Sequence, residues 1–378
     1  MEQLKEELKQ WRHYLHMHPE PAFEETNTAA FVAEKLREMG LSVHTGIGGT
    51  GVVAELTCGN SGRTIGLRAD MDAIRLQEQG EVPYRSVNDG VVHACGHDGH
   101  TVTLLAAARL LSERRNFNGT VRFVFQPAEE PGKGARAMIE DGLFDRFPMD
   151  EIYGIHNAPA NPFGTLAVRS GGFCSSEDNF KIVIRGRGGH ASNPSVVIDP
   201  LVIAAQIILA LQTIVSRNVP PADSGVISCT EVFSDGAHNA IPGTVTILGD
   251  CRSYKKEIQA LFERRMREIC VGLCAMNGAE CDFEYTHEFA PTVNTPEQTQ
   301  AAAQAAIAVL GAENVDAASD PATFSEDFGL YLEHVPGCFA LLGSGTGTPL
   351  HNAWFDYNDN LLLVGAEYFA ELVRQRLP

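Results

Sequence analysis

Leu4, Leu8, Trp11 and Leu15 recur at helical spacing, so the N-terminal stretch MEQLKEELKQWRHYLHMHPE predicts an amphipathic helix. EETNTAAFVAEKLREMG predicts a second helix, closed by Gly40. VVAEL, TIGLRAD, GTVRFVFQ and IYGIHN are short apolar runs that read as strands. Between the second and third of these, Asp98 followed by TVTLLAAARLL predicts a helix with Asp98 as its N-cap. Strands alternating with helices as far as about residue 170 predict an α/β layer with a largely parallel sheet.

The pattern changes near residue 173. FKIVIRGRGG, a helix from Asp199 to about Val215, VISCTEVF, TVTILGDCRS, a helix from Lys255 to about Met276, and CDFEYTHE follow in turn. This β-α-β-β-α-β order is the split pattern of a small ferredoxin-like sandwich. After about Glu288 the α/β texture resumes, with a helix over Pro296–Leu310, a strand at GCFALLGSG and a helix over Leu361–Leu377. The predicted fold class is therefore α/β. Residues 1–172 and 289–378 form a domain with a mostly parallel central sheet flanked by helices. An inserted ferredoxin-like α+β domain over 173–288 interrupts it.

Composition narrows the setting. A length of 378 residues suits two domains, and 44% hydrophobic with 20% charged residues supports a sizeable core. The net charge of −19 argues against nucleic acid or an anionic membrane as partner, since phosphates are met by basic patches. No run approaches the roughly 20 apolar residues of a bilayer span, and the N-terminal stretch lacks the apolar core of a signal peptide. Nine cysteines without framework spacing read as reduced thiols, and the expected location is the cytoplasm. Cys270 and Cys274 lie four apart on a predicted helix with no histidine nearby, and are expected to be buried thiols. GIGGTG (46–51) matches a dinucleotide fingerprint in letters only, because a strand rather than a helix follows it. GSGTG (343–347) lacks the Lys-Ser/Thr of a phosphate loop and reads as another turn.

The chemistry concentrates in HACGHDGH, residues 93–100. Positions i and i+2 do not face each other on a helix, so Cys95 and His97 are both expected on the loop before it. Gly96 and Gly99 permit the tight backbone such a loop needs. Thiolate and imidazole are ligands that borderline divalent metals accept. In QPAEEPGKGA, Glu129 and Glu130 follow a strand and sit where open α/β sheets place their sites. Given a metal, one carboxylate can be a ligand and the other a base. His156 ends the strand IYGIHN, and His351 lies in the loop PLHNAWFDYND. Each residue alone has a structural reading. Convergence favours a metal centre, because four separate segments each offer a ligand at a strand end or loop. A cysteine hydrolase with Cys95 as nucleophile beside His97 or His100 is the rival enzyme class, and it would ignore chelators.

The stretches WRHYLHMHPEPAFEE, GLRADMDAI, HACGHDGH, QPAEEPGKGA, GRGGHAS, HNAIPG and PLHN run in order along nearly the whole chain. In them the sequence resembles the M20 metallopeptidase/amidohydrolase family, in its branch of hippurate hydrolases, N-acyl-amino-acid amidohydrolases and auxin-conjugate hydrolases. The resemblance implies a zinc-peptidase-like catalytic domain with a two-metal centre and an inserted lid domain that also forms a homodimer. It implies that Cys95 is shared by the two metals, that Glu130 and His351 complete one, and that His97 and His156 complete the other. Glu129 resembles the general base. His190 in GRGGHAS resembles a lid histidine that reaches an active site, commonly the partner subunit's. Asn239 and Arg252 resemble residues that hold substrate polar groups, with Arg252 on the free carboxylate.

Ligand histidines commonly give their other N–H to a carboxylate, which suits Asp72 or Asp98. Two departures stand out: Arg75 replaces the family's usual proline after MDAI, and Cys251 sits in GDCRSY where relatives often have an apolar residue. The function implied is metal-dependent hydrolysis of the amide bond of N-acyl amino acids, using Zn, Mn, Co or Ni. A dipeptidase or carboxypeptidase of the same family is the alternative. A non-catalytic metal-binding protein on the same fold is a further one, against which Glu129, not needed as a ligand, argues. The expected partners are a small N-acyl amino acid or short peptide and a second copy of the chain.

Overall fold

The computed structural model describes residues 2–378. They separate into two compact units: Met1–Phe173, Val293–Pro321 and Asp327–Pro378 form the first, and Cys174–Thr292 with Ala322–Glu326 the second. The first opens with α1 (Glu2–Met17), α2 (Thr26–Glu38), β1 (Ser42–Ile47), β2 (Gly51–Cys58) and β3 (Thr64–Asp70). It continues through α3 (His97–Arg114), β4 (Gly119–Gln126), α4 (Gly134–Glu140) and β5 (Glu151–Ala158). The second unit follows with β6 (Glu177–Arg185), α5 (Pro200–Arg217), β7 (Gly225–Ser234), β8 (Thr244–Ser253), α6 (Lys256–Met276) and β9 (Glu280–Phe289). The chain then completes the first with α7 (Pro296–Leu310), β10 (Gly337–Gly343) and α8 (Leu361–Arg376).

The first unit's sheet runs β1–β2–β4–β3–β5–β10, extended by the short strands Leu166–Ala167 and Val315–Asp316. Its centre is parallel, β4 to β3, β3 to β5 and β5 to β10, and the β1 and β2 pairings are antiparallel. β3 and β5 are buried along almost their whole lengths. That is why they read as unbroken apolar runs, as parallel strands covered on both faces do. α3 supplies the crossover from β3 to β4 and packs on α1, α8 and β3. Enclosed in this way, it is apolar on nearly every side rather than amphipathic. Buried Phe123 and Phe125 on β4 each contribute roughly 1.5–3 kcal/mol from burial alone. Because β3, β4 and β5 are parallel, their carboxyl ends lie at one edge, and the segments that follow them meet there.

The start of α3 differs from expectation. Gly96, at φ 97°, precedes the helix and His97 is its first residue, so Asp98 is not the cap. Asp98 lies inside the first turn, where an acid suits the helix dipole and its carboxylate accepts the Gly99 N–H at 2.9 Å.

In the second unit's four-stranded sheet all pairings are antiparallel, in the order β7–β8–β6–β9, with α5 and α6 packed on the sheet. β8 shows why: a buried residue alternates with a half-buried one along all its length. Ile182, Ile184, Ile207, Leu211, Ile247 and Phe262 form its core, together with Cys270 and Cys274. All nine cysteines are free thiols. Residues 322–326, assigned from sequence to the first domain, belong here instead. The Ser175 N–H and hydroxyl donate to the Phe324 and Thr323 carbonyls at 3.0 and 2.9 Å.

α5 needs a correction as well. Over 18 residues its mean hydropathy is 1.6, long and apolar enough to cross a membrane by length and composition. At 18 residues it comes close to the roughly 20 of a bilayer span, contrary to the expectation from sequence. Its Ile203, Ala204, Ile207, Leu211 and Ile214 are buried in the second core, while Leu201, Val202 and Leu209 are exposed.

Candidate metal centre

The loop between Ala94 and α3 turns tightly enough to need glycine twice. At Gly96, in the left-handed region, a Cβ would stand 2.5 Å from Asn157 Oδ1, and at Gly99 one would meet the Tyr357 ring at 2.4 Å. The turn carries Cys95 and His97 to a common centre although His97 is already helical. After β4, Ala128 is held at φ 49°, a conformation that costs a non-glycine residue on the order of 1 kcal/mol or more. The buried Glu25 carboxylate compensates by accepting the Ala128 N–H at 2.8 Å. The next two N–H groups, of Glu129 and Glu130, donate to the two oxygens of Asp72 at 3.0 Å each. Asp72 also faces His97 Nδ1, through its carbonyl at 2.9 Å and its carboxylate at 3.3 Å. His351, at φ 58°, is pinned by its N–H to the Ala94 carbonyl at 2.8 Å.

These constraints bring all five predicted ligands together. The ligand atoms of Cys95, His97 and His156 lie within 4.8 Å of one another, and so do those of Cys95, Glu130 and His351. The two groups share Cys95. Its Sγ is 3.3 Å from His156 Nε2, and His351 Nε2 is 3.2 Å from Glu130 Oε2. His97 Nε2 lies 3.9 Å from both Glu129 Oε2 and Glu130 Oε1. His97 Nε2 and Glu130 Oε1 are buried without a hydrogen-bond partner. Buried polar atoms are seldom left so, and a thiol, imidazoles and a carboxylate turned to one centre fit divalent cations.

The electrostatics follow from this crowding. Burial pushes the Cys95 thiol up, and Glu130 pushes it further. Burial alone would lower His97, but Asp70 and Cys95 outweigh it and raise the ring well above its ordinary value. His156 is driven well below by burial and by the neighbouring His100. Burial favours a neutral Glu130, yet His351 and His97 outweigh it and hold the carboxyl down.

Of the two outer carboxylates, Asp72 is the one that meets a ligand histidine. Asp98 instead lies 2.9 Å from His16 Nδ1 and 3.6 Å from the Arg12 guanidinium, on the far side of the turn. His190, Asn239 and Arg252 lie in the second unit. His190 is exposed on the two-residue strand Gly189–His190, paired with Ala240–Ile241. Its Nδ1 accepts the Ser192 backbone N–H at 3.2 Å and lies 2.8 Å from the Ser192 hydroxyl, which leaves Nε2 to carry the ring N–H. The carbonyl of the exposed Asn239 accepts the Ala191 N–H at 3.0 Å. Arg252 is not an unengaged fork. It donates to Asp250 at 2.9 Å, Glu177 at 2.8 Å and the Ser325 hydroxyl at 2.7 Å.

Sequence reasoning missed Arg68, Asn157 and Asp327, all buried beside the ligands, and named His100 only as a possible partner of a nucleophilic Cys95. A signal existed in Arg68, a charge in the middle of an otherwise apolar strand, which a buried position tolerates only with partners.

The model of peptidase family M20/M25/M40 matches residues 66–375. The chain is 41% identical over 374 residues to a hippurate hydrolase of Campylobacter jejuni subsp. jejuni, covering 99% of this chain and 97% of that one. It is 39% identical over 363 residues to an N-acetylcysteine deacetylase of Bacillus subtilis, covering 96% and 94%. A crystal structure of a dinuclear metal-binding peptidase of the M20 family from Bacillus subtilis superposes with a TM-score of 0.88 at 34% identity, over 100% of this chain and 99% of that one. With the cysteine-centred cluster at its sheet edge, the chain belongs to peptidase family M20/M25/M40 and is a hydrolase of amide bonds.

Proposed function

We propose that this chain is a metal-dependent N-acyl-amino-acid amidohydrolase, cleaving the amide between an acyl group and the nitrogen of an amino acid. One observation carries the reading: two ligand groups share Cys95, and a further carboxylate, Glu129, stands beside them outside both. Cys95, His97 and His156 would hold one cation, and Cys95, Glu130 and His351 the other. When bound, a pair of divalent cations supplies Lewis acidity and makes water acidic enough to ionise near neutral pH. Glu129 takes the proton of the attacking water and later delivers it to the leaving amine nitrogen, a role worth ~10²–10⁴-fold. Asp72 keeps that carboxylate in place by gripping its backbone N–H. The names of the relatives support an N-acyl amino acid as substrate, and an S/N/O ligand set accepts Zn, Mn, Co or Ni.

The second unit supplies the remaining groups. His190 presents its Nε2–H to the oxyanion of the tetrahedral intermediate. Asn239 and Arg252 receive substrate polar groups, with Glu177 and Asp250 orienting the guanidinium towards the amino acid's carboxylate. The chain acts as a homodimer through this unit, and His190 serves the partner subunit's site. Exposed Leu201, Val202 and Leu209 on α5, with Val226, Val232 and Phe233 on the edge strand β7, support a second copy as their cover. Free thiols throughout fit a cytoplasmic location.

The test is metal analysis of the purified protein, then hydrolysis assays on N-benzoylglycine, N-acetyl amino acids, indole-acyl conjugates and dipeptides. About two cations per chain and release of free amino acid from N-acyl substrates are expected. Full turnover by metal-free protein, or cleavage of dipeptides alone, would overturn the reading.

A further inference from the structure

A buried polar chain runs behind the metal centre, and no step of the reaction uses it. Arg68, 1% exposed, donates Nε–H to Gln126 Oε1 at 2.9 Å, Nη1–H to Asp70 Oδ2 at 2.7 Å and Nη2–H to Asp327 Oδ1 at 3.1 Å. The other oxygen of Asp70 accepts His100 Nδ1–H at 2.7 Å. The Nε2 of His100 faces Asn157, 3.1 Å from the backbone nitrogen and 2.6 Å from the side-chain Oδ1. Asp327, Arg68, Asp70, His100 and Asn157 thus form one continuous strut tying β3, β5, α3 and the 327 segment together.

The strut touches the ligands at three places. Asp70 Oδ2 is 3.8 Å from His97 Nε2. The His100 ring stands edge-on to His156, with centroids 4.5 Å apart at 69°. Asn157 follows His156 in the chain and fills the space that a Cβ on Gly96 would need, between Cys95 and His97. One arginine lies between two carboxylates here, Asp70 at 2.7 Å and Asp327 at 3.1 Å.

We propose that Asp70 and His100, anchored by Arg68, are positioning residues that fix the spacing of His97 and His156 and so set how tightly the centre takes a cation. This inference rests on the metal-centre reading above. His100→Phe keeps a ring edge against His156 but removes both hydrogen bonds, whereas His100→Gln keeps a donor and an acceptor. The full-length protein, depleted of metal, is titrated with Co²⁺. The thiolate-to-cobalt absorption reports Cys95, and kcat is read at saturating Co²⁺. His100→Phe is expected to weaken Co²⁺ binding about 10–100-fold, with the loss partly restored in His100→Gln and kcat at saturation changed only a few-fold. Leu110→Ala, an apolar truncation in the same helix, should lower stability without moving Co²⁺ affinity.

Unchanged affinity in His100→Phe, or an equal loss in Leu110→Ala, overturns the strut while leaving the metal centre standing. A wild-type protein with no sulfur–cobalt band sinks the metal-centre reading itself. If His100→Phe does not fold, Asp70→Asn, which removes the carboxylate but keeps its shape, carries the test, and wild-type Co²⁺ affinity in that variant overturns the proposal.

Discussion

The two units handle reactive side chains in opposite ways. In the first, Cys95, His97 and His156 are at most 7% exposed. Neighbours tie His97 and His156 down, Asp72 at the former and the Asn157 carbonyl, 2.8 Å from Nδ1, at the latter. In the second, His190 stands exposed on a strand of two residues, steadied by one serine. Only fixed elements can hold several ligands at cation spacing, and the parallel strand ends β3, β4 and β5 provide them. A group that must meet an arriving substrate gains from accessibility, and completes a site only when it closes on its ligand. His351 lies between these cases, with a strained backbone and a side chain that reaches solvent.

The sharpest way to break this contrast is Glu129→Gln. If the buried unit holds the reacting groups as proposed, the variant keeps its metal and loses about 10²–10⁴-fold in kcat. Metal content and turnover are measured on one preparation, and substantial remaining activity would remove Glu129 from the role of base.

Next in size is His190→Ala, where losing one oxyanion donor should cost ~10²–10³-fold in kcat, with the cation content unchanged. Mixing His190→Ala chains with Glu129→Ala chains should restore part of the activity if the histidine serves the partner subunit. No rescue on mixing would make each subunit self-contained.

The same contrast governs what could be read from sequence. The ligands were legible because each sits at a strand end or in a glycine-rich turn, and PLHN, HACGHDGH and QPAEEPGKGA mark those places in the letters. The β-α-β-β-α-β order was legible for a similar reason, since period-2 alternation along TVTILGDCRS survives as alternating burial. The partners of the ligands were not. Whether Asp72 or Asp98 backs His97 depends on where the helix begins, and the Gly96 cap moves that start two residues earlier than an Asp98 cap would. The strut from Asp327 to Arg68 spans 259 positions in the chain, a distance that periodicity cannot see. Nor were the partners of Arg252 legible, since Glu177 and Ser325 are remote from it in sequence.

A smaller effect, on stability alone, tests the cross-ties of the buried unit. Burial pulls the His16 ring down, but hydrogen bonds with Asp98 and Glu78 outweigh it and carry its pKa up to about 9. A histidine raised in the fold stabilises fully below its ordinary value of 6.5, and loses that contribution as pH rises through about 9. Asp98, held low by His16 and Arg12 against its own burial, contributes in the other direction and loses its share only in acid. Unfolding free energy should therefore fall by on the order of 2–3 kcal/mol between neutral pH and pH ~10. In His16→Phe that alkaline decline should flatten, with overall stability lower at pH 7. Urea titrations across the range measure it, and an undiminished slope in the variant would assign the decline to other groups.

Arg75 should matter least. Its guanidinium is 67% exposed and pairs at 2.5 Å with Glu24, itself 59% exposed, so water screens both charges. Pairs of this kind are worth about 0–1 kcal/mol, because the ordering of two long side chains offsets most of the attraction. Arg75→Ala should accordingly shift stability by no more than roughly 0.5 kcal/mol and leave kcat/KM within about twofold. Thermal melts and assays on N-benzoylglycine check both. A tenfold change in kcat/KM at unchanged stability would mean that Arg75 meets the substrate, and the division between buried chemistry and inert surface in the first unit would have to be redrawn at that loop.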